Sequence, residues 1–180
     1  MESIIISRKS MWYARFTAMQ KLADASKSKS IPKLIFTEGG YVASTDGRMI
    51  IAVRIEDIAD YQTKEFVSSH KTFKFDKGYL IAWDDDRNVP PIHKYMPTDT
   101  NGWNVKDVMH FRENTKSRHT DLAVTAMRYS RCWLNGTLLA NAEPIAEHMT
   151  KYMWVDEKYK CFFTDEWGTW LVIMSMNYED

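Results

Sequence analysis

Between Leu34 and Glu56 the chain reads LIFTEGGYVASTDGRMIIAVRIE, and few local structures accommodate that pattern. Leu34-Ile35-Phe36 is a short β-prone run, Glu38-Gly39-Gly40 a turn, Tyr41-Val42-Ala43 a second run, and Asp46-Gly47 a second turn. Met49 to Val53 then forms a nearly unbroken apolar strand. Glycine takes up positive φ without a Cβ clash and aspartate hydrogen-bonds its own backbone, so an Asp-Gly pair favours a tight reversal. The segment is expected to be a three-stranded meander.

The flanking sequence fits around it. Ile4 to Ser7 is β-prone and leads into a helix over Arg8 to Ser26, where Trp12, Phe16, Met19 and Ala23 form one apolar stripe with Leu22 on its flank. Lys71 to Trp83 reads as a hairpin around Asp76-Lys77-Gly78, and Asp84 to Gly102, with Pro90, Pro91 and Pro97, as a connector. Asp107 to Asp121 is polar and ambiguous. Leu122 to Met127 and Tyr129 to Trp133 read as strands, and Leu138 to Thr150 as a helix interrupted by Pro144. Proline at the first helical position loses no hydrogen bond, so that helix is expected to begin near Glu143. Strands follow at Tyr152 to Val155, Tyr159 to Thr164 and Thr169 to Met176. The expected fold class is α+β, one domain of two β-α-β-β-β units with two helices side by side against curved antiparallel sheets. The first unit covers about 1–83, the connector about 84–121 and the second unit about 122–180.

YVASTDGRMIIAV resembles the ATDGHRLAV strand-turn-strand of the bacterial DNA polymerase sliding clamp, the β subunit. The terminal run Trp170-Leu171-Val172-Ile173-Met174-Ser175-Met176 is similar to the clamp family's last strand, which ends in Met-Pro-Met, and VPPIHKYMP echoes the FPDYRRVLP connector. The resemblance implies a pocket that takes the short hydrophobic tail motif of polymerases and repair proteins. Carried over residue by residue, it implicates Thr45, Gly47, Arg48, Met49, Ile50, Val172, Met174 and Met176. Arg48 stands where the family has His, Met49 where it has Arg, and Ser175 replaces the proline. Flexible thioethers suit a site that repacks around different apolar anchors. Turn and tail come from opposite ends of the chain, so they meet either within the fold or across a head-to-tail contact between copies.

The resemblance also implies a DNA-facing side on the helices, meeting phosphate without reading bases. The cations available are Arg8, Lys9, Arg15 and Lys21 around the first helix and Lys151 just beyond the second. The supply is thin, and 24 basic against 24 acidic residues give zero formal net charge, so any contact with duplex DNA is local, weak and non-specific. Clamp subunits carry two or three domains and close a ring of six. A one-domain chain implies a homo-oligomer, or a lone domain acting as an adaptor, a decoy or a phage-type variant.

Other chemistry finds little support. Asp84-Asp85-Asp86 offers oxygen ligands for a metal-dependent nuclease, but consecutive residues of a strand point to alternate sides. The histidines show no metal-ligand spacing, and there is no Gly-rich phosphate loop and no G-x-S-x-G. No cofactor and no metal are expected. Cys132 and Cys161 show no pairing pattern, which points to a reduced cytosolic setting, and no run approaches a membrane span. The expected function is non-enzymatic: a clamp-like replication or repair accessory that binds DNA and a hydrophobic-motif partner. An interaction module of the same fold without DNA affinity is the alternative.

Overall fold

The computed structural model describes residues 2–85, 87–111, 117–155 and 160–174. Their strands form a single ten-stranded sheet in which every pairing is antiparallel. The meander is present as β2 (Ile35–Glu38), β3 (Tyr41–Thr45) and β4 (Met49–Arg54). It is preceded by β1 (Ser3–Ile5) and α1 (Met11–Ala25). The Ser10 hydroxyl caps α1 by accepting from the Trp12 amide. β5 (Thr72–Asp76) and β6 (Tyr79–Ala82) make the expected hairpin.

The second half follows the same order with different residues. Its first strand is β7 (Asn104–Asp107), and the stretch read as two strands from Leu122 to Trp133 is instead α3 (His119–Ser130) followed by irregular chain. Asp121, Leu122, Thr125 and Ala126 are its buried residues, spaced as one helix face, while β-branched Val124 points outward. The helix-like region around Pro144 is divided into α4 (Gly136–Leu139), a 3-10 turn (Ala140–Ala142) and α5 (Glu143–Ala146), with the proline in the first turn of α5. β8 (Lys151–Trp154), β9 (Lys160–Thr164) and β10 (Thr169–Met174) complete the sheet, whose strand order is β1-β6-β5-β2-β3-β4-β10-β9-β8-β7. A further helix that periodicity did not reveal, α2 (Tyr61–Ser69), joins β4 to β5 and is capped by Asp60.

The sheet is buried on both faces near its centre. Met49, Ile51 and Val53 face a large core with Phe16, Met19 and Leu22 of α1, Leu122 and Ala126 of α3, and Ile145 and Ala146 of α5. Ile50 and Ala52 face the other way, into a smaller core with Phe36, Met153, Phe162 and Val172, closed by Ile92 and Met96 of the connector. Period-two alternation delivers successive apolar residues to two different cores, which is why Met49 to Val53 reads as a continuous apolar run. The helices lie in one layer, with α1 packed beside α5.

Glu143 joins two of those helices: its carboxylate accepts from the backbone amides of Arg118 and His119, both at 2.8 Å, and from the His119 ring. These amides open α3 and have no partner within the helix, so a negative charge there is favourable. Burial alone would raise the Glu143 pKa, but the hydrogen bonds from His119 and Arg118 outweigh it and hold the group below its ordinary value. A depressed folded-state pKa contributes stability above the unfolded value and loses it as pH falls through the folded one. Glu143→Gln should therefore cost about 1 kcal/mol at neutral pH. The gap in melting temperature from the parent should close on acidification below the ordinary glutamate range.

Candidate partner pocket and nucleic-acid face

The Thr45 to Met49 turn is built by its own side chains. Thr45 Oγ1 donates to the Met49 carbonyl at 2.7 Å and accepts from the Gly47 amide at 3.0 Å, while Asp46 Oδ1 accepts from the amides of Arg48 and Met49, each at 2.9 Å. Gly47 sits at φ +92°, a conformation in which a side chain is strained. The next strand, β4, pairs with β10 so that Ile50 lies directly opposite Val172. Turn and tail thus meet within one copy of the chain.

A concavity of about 310 Å³ opens at this junction. It is lined by Thr45, Gly47, Arg48, Ile50 and Val172, by Ile31, which lies against Gly47, and by Pro90, Ile92 and Tyr95 of the connector. The connector is held across the sheet by Ile92 and Met96, both buried, and by Glu38, whose carboxylate accepts from the His93 amide at 3.0 Å and lies 2.5 Å from His93 Nδ1. Gly39 permits that approach, since a Cβ built there would fall 2.6 Å from His93 Cβ. The rim is cationic: Arg48 is exposed, and the Lys160 ammonium lies 5.0 Å from the centre of the Tyr95 ring.

Five of the residues expected in the pocket, Thr45, Gly47, Arg48, Ile50 and Val172, are brought together. Met49 is not among them, because alternation turns it into the helix-side core, where it is fully buried. Met174 belongs to β10 and registers with Lys160, and Met176 lies outside the described residues. The contributions of Ile31, Pro90, Ile92 and Tyr95 to the lining were missed, although the proline-rich connector was the signal for the last three.

The expected phosphate contacts are dispersed. Arg8, Lys9 and Lys21 are exposed. Arg15 is not available: it is 2% exposed, its guanidinium lies 4.4 Å from the centre of the Trp12 ring, and it donates to Asp165 Oδ2 at 3.1 Å. Asp165 in turn accepts from the amides of Trp167 and Thr169, so the ion pair ties α1 to the β9–β10 turn. Lys151 pairs with Asp107 at 2.5 Å across β7 and β8 and lowers that carboxyl's pKa. Outward-facing residues of α3 include apolar Val124 and Met127 beside Arg128.

Among the described residues no three His, Cys, Asp or Glu side chains converge as a metal site. Asp85 is bound to Arg87, whose hydrogen bonds hold its carboxyl at about 2, and Asp86 lies outside the described residues. Among the described residues no helix is long and apolar enough to cross a membrane.

Comparison of this fold with solved structures finds clamp proteins. A structure assigned to a DNA polymerase III beta subunit of Eubacterium rectale superposes with a TM-score of 0.52 at 11% identity, over 99% of this chain and 66% of that one. The DNA polymerase III subunit beta of Pseudomonas aeruginosa matches with a TM-score of 0.47 at 11% identity, over 98% of this chain and 65% of its own. By its likeness to the first of these the chain has the DNA-clamp fold, and it spans about two thirds of the length of both neighbours. No protein-family model and no curated protein matches the sequence.

The approach of Gly39 to His93 separates two otherwise similar glycines. Gly39 and Gly40 both have positive φ, at +57° and +83°, but a Cβ on Gly40 meets nothing within 4 Å. Both alanine substitutions should cost about 1 kcal/mol for the backbone. Gly39→Ala should cost more, because it also pushes the connector off the sheet. Chemical denaturation of the two variants checks this, and equal losses would mean that the connector is not seated by Gly39.

Proposed function

We propose that the protein is a non-enzymatic, sliding-clamp-like accessory of DNA replication or repair, acting in the cytoplasm, whose pocket holds a partner by a short hydrophobic motif. The observation that carries this reading is the junction itself: on a clamp fold, the Thr45 to Ile50 turn, Val172 of β10 and the connector enclose one apolar concavity with a cationic rim. Its size and lining suit a few apolar side chains of an extended peptide flanked by acidic groups, while Arg48 in place of the family's histidine points to a different preference at the rim. Residues 1–180 act as one clamp-like unit, and closure around DNA would require several copies.

The pocket is tested by titrating a short peptide with two apolar anchors, taken from a polymerase tail, against the protein and two variants. Ile31→Asp and Tyr95→Ala alter half-buried or exposed walls, so both should melt near the parent temperature while weakening the peptide about tenfold or more. Parent-like affinity in both variants would remove the pocket from the proposal.

Duplex binding is proposed to be weak and independent of sequence, carried by Arg8, Lys9 and Lys21. Replacing all three by alanine should lower affinity equally for unrelated duplexes and reduce the salt slope by up to about 3. Titration at low ionic strength measures it. The burial of Arg15 and the pairing of Lys151 with Asp107 favour a second reading, an interaction module of the same fold without DNA affinity. No binding by the parent protein at low salt would select that reading.

A further inference from the structure

Cys132 and Cys161 are separated by 29 residues, yet their sulfurs lie 2.9 Å apart. Arg131 ends α3 in the left-handed conformation at φ 55°, and the chain turns so that the Cys132 amide donates back to the Ala126 carbonyl at 3.4 Å. This reversal carries Cys132 onto β9, where Cys161 is buried beneath it. The Tyr152 hydroxyl lies 3.3 Å from Cys161 Sγ and 2.5 Å from Ser130 Oγ, so the end of α3, two residues before Cys132, is tied to β8 beside the pair.

The two thiols differ in access. Cys132 is half-buried and lines an open groove of about 550 Å³ together with Met109, Val124, Met127 and Trp133. Cys161 is 2% exposed, and its hydrogen bond with Cys132 and its burial both push its pKa up. That asymmetry divides the roles of an attacking and a resolving cysteine.

We propose that Cys132 and Cys161 form a reversible intramolecular disulfide, made by exchange with a small-molecule disulfide that reaches Cys132 through this groove, and that the bond locks the end of α3 to β9. Cys132 gives up its proton and its thiolate attacks one sulfur of the small disulfide. The external S–S bond breaks, a mixed disulfide forms, and the departing thiolate takes a proton. Cys161 then loses its proton and attacks Cys132 Sγ, forming the Cys132–Cys161 bond and expelling the second small thiolate, which is protonated. Both protein sulfurs are oxidised and the small disulfide is reduced to two thiols.

The test is incubation of the native protein with glutathione disulfide at mildly alkaline pH, followed by intact-mass measurement, thiol titration and non-reducing peptide mapping. The expected product is monomeric, lacks both thiols, has lost only two hydrogens, and yields a peptide joining Cys132 to Cys161. It should melt at a higher temperature than the reduced protein, and a dithiol should reverse the shift. Cys161→Ser should stop at a glutathione adduct on Cys132, and Cys132→Ser should leave Cys161 unmodified. A persistent adduct in the parent protein, a covalent dimer, unreacted thiols or an unchanged melting temperature after oxidation would each overturn the proposal. The parent protein alone decides the central point, so a variant that fails to fold does not weaken the test.

Discussion

The antiparallel pairing of β4 with β10 holds this molecule together. Met49 to Val53 lies opposite Ile173 to Thr169, and through that ladder the meander from the first half of the chain meets the last strands of the second. Backbone groups at the centre of the sheet are out of reach of water, so the ladder satisfies donors and acceptors that would otherwise be costly to bury. The same ladder places Ile50 beside Val172 and so founds the pocket. A second tie between the two halves, the buried pair of Arg15 with Asp165, fastens α1 to the turn that leads into β10. Breaking a buried pair by removing one partner leaves an uncompensated charge and costs about 3–5 kcal/mol, so this arginine belongs to the architecture.

A sheet with two apolar faces needs two covers, and the chain supplies unlike ones. The helices cover one face with a broad, continuous core. The connector covers the other with a few anchors, Ile92 and Met96 above all, leaving a gap beside Tyr95 that the helix layer would not have left. The pocket is the uncovered margin of that second core. Its walls come from four separated parts of the sequence and its width depends on where Glu38 and Gly39 seat the connector.

The meander was legible residue by residue because its turns are local devices: the Asp46-Gly47 turn is stabilised by its own side chains and the turn after Glu38 by two glycines at positive φ. α3 was misread because Leu122 to Met127 is short and apolar, and such runs suit a strand or a buried helix alike. Its alanines, leucine and methionine favour a helix, as does the Glu143 carboxylate at its start, but that carboxylate arrives from 24 residues downstream. Met49 was assigned to the pocket by residue-by-residue carry-over from the clamp family's turn, although alternation along a strand sends it to the opposite face.

What the sequence determined by itself was local: the turns, the apolar stripe of α1, the proline at the start of α5 and the unbroken apolar run of β4, which demands a two-sided sheet. Those features depend on interactions among residues a few positions apart, and their energies are present in any context. Which ends of the chain pair, which arginine is buried, where the connector lies and which cysteines meet were decided only by the tertiary structure. Each depends on contacts between residues tens of positions apart, whose favourable energy appears only after the chain entropy of closing those loops has been overcome by the cooperative burial of the whole core.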